Sequence, residues 1–147
     1  MGSVTYPDLM VAGMLNAYFI PVQVNIEEVS KLAAKYLAIW TPNLNVLDGK
    51  ENVIYRIEGW LPPSETAAML LLARGHYFLR HKKYQDAVPN FEEVFIKYPQ
   101  SSFASEALYY KGVSRYIDSH EVDELKEDWI ILQRFYPAST WAMRSNI

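Results

Sequence analysis

The chain has 147 residues, a formal net charge of −3, 50% hydrophobic residues and 21% charged residues. This composition excludes a disordered chain, and the slight acidic excess argues against an electrostatic nucleic-acid binder. No apolar run approaches the ~20 residues of a membrane span, and no signal-peptide pattern opens the sequence. We therefore expect no membrane association and a cytoplasmic location by default. Cysteine is absent, which excludes disulfides and thiolate chemistry in the chain as given.

The first 63 residues mix helical and extended patterns. Val22 and Val24 alternate with Gln23 and Asn25, as in a half-buried strand. Gly49 is predicted to supply the positive φ of a hairpin turn. The predicted elements, in chain order, are a helix over 7–17, a strand over 19–26, a helix over 27–38, and two hairpin strands over 43–47 and 53–58, the second with Val53, Tyr55 and Ile57 on one face.

After Pro62 and Pro63 the pattern is helical throughout. Ser64 begins a helix with a broad apolar face, and a short helix follows Ser139. Three more helices are predicted between them, over 84–98, 102–117 and 121–136.

These helices repeat. Residues 98–104 and 136–142 share the pattern Tyr-Pro-x-Ser-x-aromatic-Ala, 38 residues apart. The proline ends one helix, and the serine can cap the next. Gly75 is expected where two helices touch closely, with Phe91 filling the space between them. Gly112 and Trp129 take the corresponding places in a second unit, which carries one extra residue in the polar stretch 118–124.

The segment from Leu71 to Ile147 resembles tetratricopeptide repeats of the variety with Tyr-Pro-x-Ser junctions. The resemblance implies two helical pairs and a short closing helix. It also implies a surface that binds a peptide or protein. The residues that carry it besides the junctions are Leu71, Arg74, Gly75, Phe78, Ala87, Phe91 and Pro99.

The first part resembles the C-terminal portion of a thioredoxin fold. The matching residues are 19–25, 40–42 and 47–51. The whole chain is similar to bacterial thioredoxin-like proteins with a tetratricopeptide tail. The resemblance implies a cis bond before Pro42 that could hold a peptide against the backbone of Thr41. Residues 4–8 look like the later part of that family's Cys-x-x-Cys helix, whereas its two cysteines and the strand before them have no counterpart in the sequence, so two strand edges are expected to lie open.

The expected fold is α/β plus all-α: an incomplete thioredoxin-like module over 1–63, then a helical module over 64–147 whose first helix serves both. The expected function is that of a non-catalytic adapter or scaffold that binds a protein or peptide, without cofactor or metal. The candidate binding residues are Thr41, Pro42, Tyr110, Arg115 and Tyr116. Dimerisation through the open sheet edges is a second expectation. The alternative is a shortened thiol-disulfide oxidoreductase whose Cys-x-x-Cys lies upstream.

Other polar residues receive structural interpretations. His76 and His81 are five residues apart, which does not place them on one helix face as metal ligands. They and His120 are expected to be exposed or half-buried. The acidic run from Glu121 to Asp128 is expected to be the solvated start of a helix, where negative charge is favourable.

Overall fold

The computed structural model describes residues 1–25, 28 and 30–146. Within them the chain is mostly helical, with seven helices and one two-stranded antiparallel sheet. It divides into two compact units, Met1–Ala67 and Ala68–Ile147. The elements are α1 (Leu9–Tyr18), α2 (Ser30–Lys35), β1 (Asn43–Leu47), β2 (Val53–Glu58), α3 (Pro63–Arg80), α4 (Tyr84–Lys97), α5 (Ala104–Ser119), α6 (Val122–Phe135) and α7 (Thr140–Arg144).

The helices of the first unit have clear boundary signals. Asp8 caps α1, because its carboxylate accepts hydrogen bonds from the backbone N–H of Met10 and Val11 at 3.0 and 3.2 Å. Helix α2 is shorter than the predicted 27–38 helix. It ends before Leu37, whose φ of 51° is left-handed, and the N–H of Ala38 returns to a carbonyl in the last turn. Glu27 and Val29, from the start of that prediction, lie outside the described residues.

The predicted strand over 19–26 is wrong for its described part. Residues 19–25 have no regular secondary structure, and Ile26 lies outside the described residues. A strand needs a neighbour to satisfy its backbone groups, and the described sheet contains only β1 and β2. The sequence of this segment therefore alternates as a strand does, but no neighbouring strand of the described sheet pairs with it.

The hairpin forms over the predicted residues, with Asn43 opposite Glu58 and Val46 opposite Tyr55. Its turn differs from the expectation, because Glu51 rather than Gly49 adopts the positive φ, at 64°. The carboxylate of Asp48 organises the turn by accepting from two backbone N–H groups. Strand β2 has a bulge at Ile54, which is buried, whereas Val53 of the predicted face is exposed.

The second unit has the predicted helices within two residues at each end. Its packing repeats as expected. A Cβ built on Gly75 would lie 2.5 Å from the ring of Phe91, and one on Gly112 would lie 3.2 Å from Trp129. The two glycines thus let the first helix of each pair approach the aromatic residue of the second. The left-handed residues that follow these first helices, Lys82 and His120, are 38 residues apart.

The two Tyr-Pro junctions have the same geometry. Tyr98 has φ −129° and ψ 52°, and Tyr136 has φ −131° and ψ 49°. Each donates its N–H to the carbonyl four residues earlier at 2.9 Å. Ser139 caps α7 through Ala142, at 3.0 Å, whereas Ser101 bonds the N–H of Phe103, at 3.1 Å. The sequence repeat is therefore also a structural repeat.

Candidate functional site

Contacts between side chains place α3, α5 and α7 beside one another. The ring of His76 on α3 meets Tyr110 on α5 edge to face, with centroids 4.5 Å apart. Tyr110 in turn meets Trp141 on α7 at 5.3 Å. These are ordinary separations for favourable aromatic pairs. We name the surface formed by Arg80, Tyr110, Trp141 and Arg144 the aromatic–arginine face.

A buried polar pair lies beneath this face. The Nε2 atom of His76 is 2.9 Å from Oε1 of Glu106, and His76 is almost fully buried. The expectation that His76 is exposed or half-buried is therefore wrong. Its other neighbour is the ring of Phe91, at 5.4 Å. The pair joins α3 to α5, and the His76 ring packs against Tyr110.

Tyr110 is half-buried and lies among charged residues of both signs. Burial, reinforced by the negative charge of Glu106, raises the pKa of its phenol above the ordinary value. Arg144 and Arg80 act in the opposite direction. Two cationic side chains on different helices are therefore close enough to influence one phenol.

Arg144 is exposed, and its guanidinium lies 4.6 Å from the centroid of the Trp141 ring. A cation over an indole face is held weakly, by roughly 0.5–1 kcal/mol at an exposed site. The guanidinium is thus held beside the ring while the residue as a whole stays exposed. Such a group can bind a carboxylate or a backbone carbonyl.

Arg115, a predicted binding residue, is held in ion pairs within the helical unit. It forms ion pairs with Glu124, Glu127 and Asp128 on α6, at 3.4, 3.1 and 3.2 Å. Burial alone would lower the pKa of Arg115, but hydrogen bonds with Asp128 and Glu127 outweigh it and raise the pKa. Five residues of helix place Arg115 roughly 140° around α5 from Tyr110. That Arg115 and Tyr110 line one binding face stays a prediction.

Asp128 corrects the interpretation of the acidic run. It is 1% exposed and pairs with Lys111 at 3.2 Å as well as with Arg115. Glu121 and Glu127 in the same run are exposed, as expected. One member of the run is thus an internal ion-pair partner and not a solvated charge.

The remaining predicted residues fall in separate places. Tyr116 is on α5 and partly exposed, roughly 120° around the helix from Tyr110. Thr41 and Pro42 belong to the first unit, immediately before β1. Their peptide bond is cis, and the carbonyl of Pro42 accepts from Gly59 N–H at 2.8 Å. The five candidates therefore do not form one site within either unit.

Sequence reasoning missed most of the aromatic–arginine face. The sequence patterns indicated no binding role for Trp141, Arg144 or Arg80, nor for Glu106 beneath the face. Only spacing could have pointed to them: Glu106 and Tyr110 are one helical turn apart, as are Trp141 and Arg144.

Among the described residues, no group of three or more histidine, aspartate or glutamate side chains is arranged to hold a metal ion. No described helix has both the length and the apolar character that crossing a bilayer requires. Comparisons of the chain with models of protein families, with curated proteins and with solved structures found no significant match.

Proposed function

We propose that the protein is a non-catalytic interaction module, an adapter or scaffold that binds an extended segment of another protein. The aromatic–arginine face is the proposed binding surface. The observation that carries the proposal is the array from His76 through Tyr110 and Trp141 to Arg144. It spans three helices, and it offers aromatic surface together with guanidinium donors. Aromatic residues and arginine are the side chains that most often dominate protein-binding energetics.

The proposal includes the finer fold assignment. The helical pairs are tetratricopeptide-like, supported by the repeated glycine–aromatic contacts and the matching Tyr98 and Tyr136 junctions. The first unit is a redox-inactive thioredoxin-like module, for which the sequence resemblance is the support. The oxidoreductase alternative stays a prediction from that resemblance.

The test is a selection of random peptides on the immobilised full chain, followed by fluorescence anisotropy with the enriched peptides. Arg144→Glu and Tyr110→Ala are expected to weaken binding by at least tenfold. Arg134→Glu is the matched control, because Arg134 is also exposed and lies over an aromatic ring, that of Phe135 at 5.9 Å. It is on α6, outside the proposed surface, and should leave affinity unchanged.

Two outcomes would reject the proposal. One is a selection that enriches no peptide above the starting library. The other is a set of enriched peptides that bind Arg144→Glu and Arg134→Glu with equal affinity. Circular dichroism of each variant separates lost binding from lost folding.

A further inference from the structure

The guanidinium of Arg144 has no ion-pair partner among the described residues. Its contact is with the ring of Trp141, at 4.6 Å from the centroid. Other basic residues of the helical unit differ, because Lys111 and Arg115 each pair with the buried Asp128 at 3.2 Å. The chain has 17 acidic and 14 basic residues, so carboxylates are not in short supply. Arg144 therefore presents a positive charge that the described part of the chain does not compensate.

The phenol of Tyr110 is a second donor at the same place. Its oxygen has no hydrogen-bond partner within the part of the chain that the structure describes. The ring is packed against His76 and Trp141, with centroids 4.5 and 5.3 Å away. Because Trp141 also contacts Arg144, the phenol ring and the guanidinium both lie against one indole ring. A neutral O–H donor and a charged donor are thus brought together on α5 and α7.

The charges around the phenol have a positive excess. Arg80 follows His76 by one helical turn on α3, and its charge and that of Arg144 both act to lower the pKa of Tyr110, against the larger effect of burial. Both cations are therefore close to the phenol. The opposing negative charge is Glu106, whose carboxylate lies 2.9 Å from Nε2 of His76 beneath the face. Two cations and one carboxylate leave a positive charge for a ligand to neutralise.

We propose that the aromatic–arginine face selects partner segments that contain an aspartate or glutamate side chain, and that Arg144 and Tyr110 bind its carboxylate. A carboxylate matches both donors, because it accepts from guanidinium N–H groups with charge assistance and also from the O–H of a phenol. A neutral segment leaves the guanidinium uncompensated, and a basic segment is repelled by Arg80 and Arg144. The inference rests on the proposed function and adds the chemical class of the partner, an acidic protein segment.

The peptides that the full chain enriches from a random library are the probes. They are synthesised with acetylated and amidated ends, so that the only carboxylates are those of side chains. We expect the binding sequences to share an aspartate or glutamate. Replacing it by asparagine or glutamine should weaken binding about fivefold in fluorescence anisotropy, the effect of one lost hydrogen bond. The difference should decrease as salt is added, because exposed charges are screened.

A double-mutant cycle assigns the carboxylate to Arg144. In Arg144→Gln the affinities for the acidic peptide and for its amide variant should become nearly equal, because the charge that distinguishes the two peptides is gone. Tyr110→Phe keeps the ring, removes the O–H donor and should reduce the difference in part. Arg134→Gln is the matched control and should keep the full difference, since Arg134 is also exposed and lies over an aromatic ring. Arg144→Glu should prefer lysine at the acidic peptide position, which a merely structural role of Arg144 does not predict.

The outcomes separate this inference from the proposed function. Enriched peptides without a shared acidic residue, or acidic peptides whose amide variants bind equally well, overturn the inference and leave peptide binding standing. Binding that requires a free C-terminal carboxylate overturns it as well, and so does a full difference between the two peptides in folded Arg144→Gln. A selection that enriches no peptide rejects both proposals.

Discussion

Replacing Gly75 by alanine tests whether the helical pair is held by close approach at one glycine. The new Cβ would lie 2.5 Å from Cε1 of Phe91, a ring with no exposed surface. Overpacking of this kind costs about 1–3 kcal/mol. The better helix propensity of alanine returns up to about 1 kcal/mol. We expect the free energy of unfolding to fall by about 1–2 kcal/mol.

Two other glycines give matched controls. A Cβ on Gly112 would meet its nearest atoms at 3.2–3.3 Å, so Gly112→Ala should be close to neutral. Gly13, inside α1, has nothing within 4 Å of a new Cβ, and Gly13→Ala should gain up to about 1 kcal/mol. Urea unfolding followed by circular dichroism measures all three.

A second substitution replaces the ring of Phe91 by a smaller side chain. Phe91→Leu should lower the free energy of unfolding strongly in the wild-type background. In the Gly75→Ala background the loss should be smaller, because leucine lacks the ring carbons nearest to the new methyl group. Neighbouring residues couple by about 0.5–3 kcal/mol in such cycles. The steric explanation fails if Gly75→Ala is as stable as Gly112→Ala, or if the two substitutions are additive.

Three further predictions concern the helical unit. Asp128→Asn should cost about 2–3 kcal/mol in urea unfolding, because two basic partners lose a buried carboxylate, whereas exposed Glu127→Gln should cost under about 1 kcal/mol. The ultraviolet titration difference between wild type and Tyr110→Phe should show a phenol that ionises above its ordinary pKa, and Arg144→Ala should move it higher; no difference between these titrations would contradict the assignment. Because the pKa of Tyr110 is raised in the folded state, its contribution to stability is fully present below the pKa of the unfolded chain, about 10. That contribution is lost as the pH rises through the pKa of the folded state. Ser139→Ala should cost about 1 kcal/mol by removing the cap of α7, and an unchanged unfolding midpoint would refute this.

The helices of the second unit were predictable because their signals are local. Prolines and serines mark the ends at fixed spacing, and the apolar stripes leave little freedom in register. The hairpin strands were also predictable, from alternation. The bulge at Ile54 was not, because an extra residue in one strand leaves no mark in a simple alternation of apolar and polar residues.

The segment at 19–25 shows the limit of pattern reasoning for strands. Val22 and Val24 alternate with polar residues as a strand requires, and the described chain still leaves them unpaired. A helix forms its backbone hydrogen bonds within its own residues, so its sequence pattern is nearly enough to predict it. A strand depends on a neighbour that its own sequence does not specify. The sequence pattern of residues 19–25 therefore did not show whether a partner strand exists.

Two polar contacts, one between the helices of each pair, could have been predicted from the repeat, although counting charges along the sequence did not reveal them. Arg74 and Lys111 each precede the packing glycine, and Asn90 and Asp128 each precede the packing aromatic residue. Arg74 donates to Asn90 at 3.0 Å, and Lys111 pairs with Asp128 at 3.2 Å. Asn90 and Asp128 are both buried. A position one residue before the packed aromatic is drawn into the same helix contact, so it needs a polar partner from the residue beside the glycine. Aligning the two units at Gly75 and Gly112 therefore identifies Asp128 as internal, which its place in an acidic run does not.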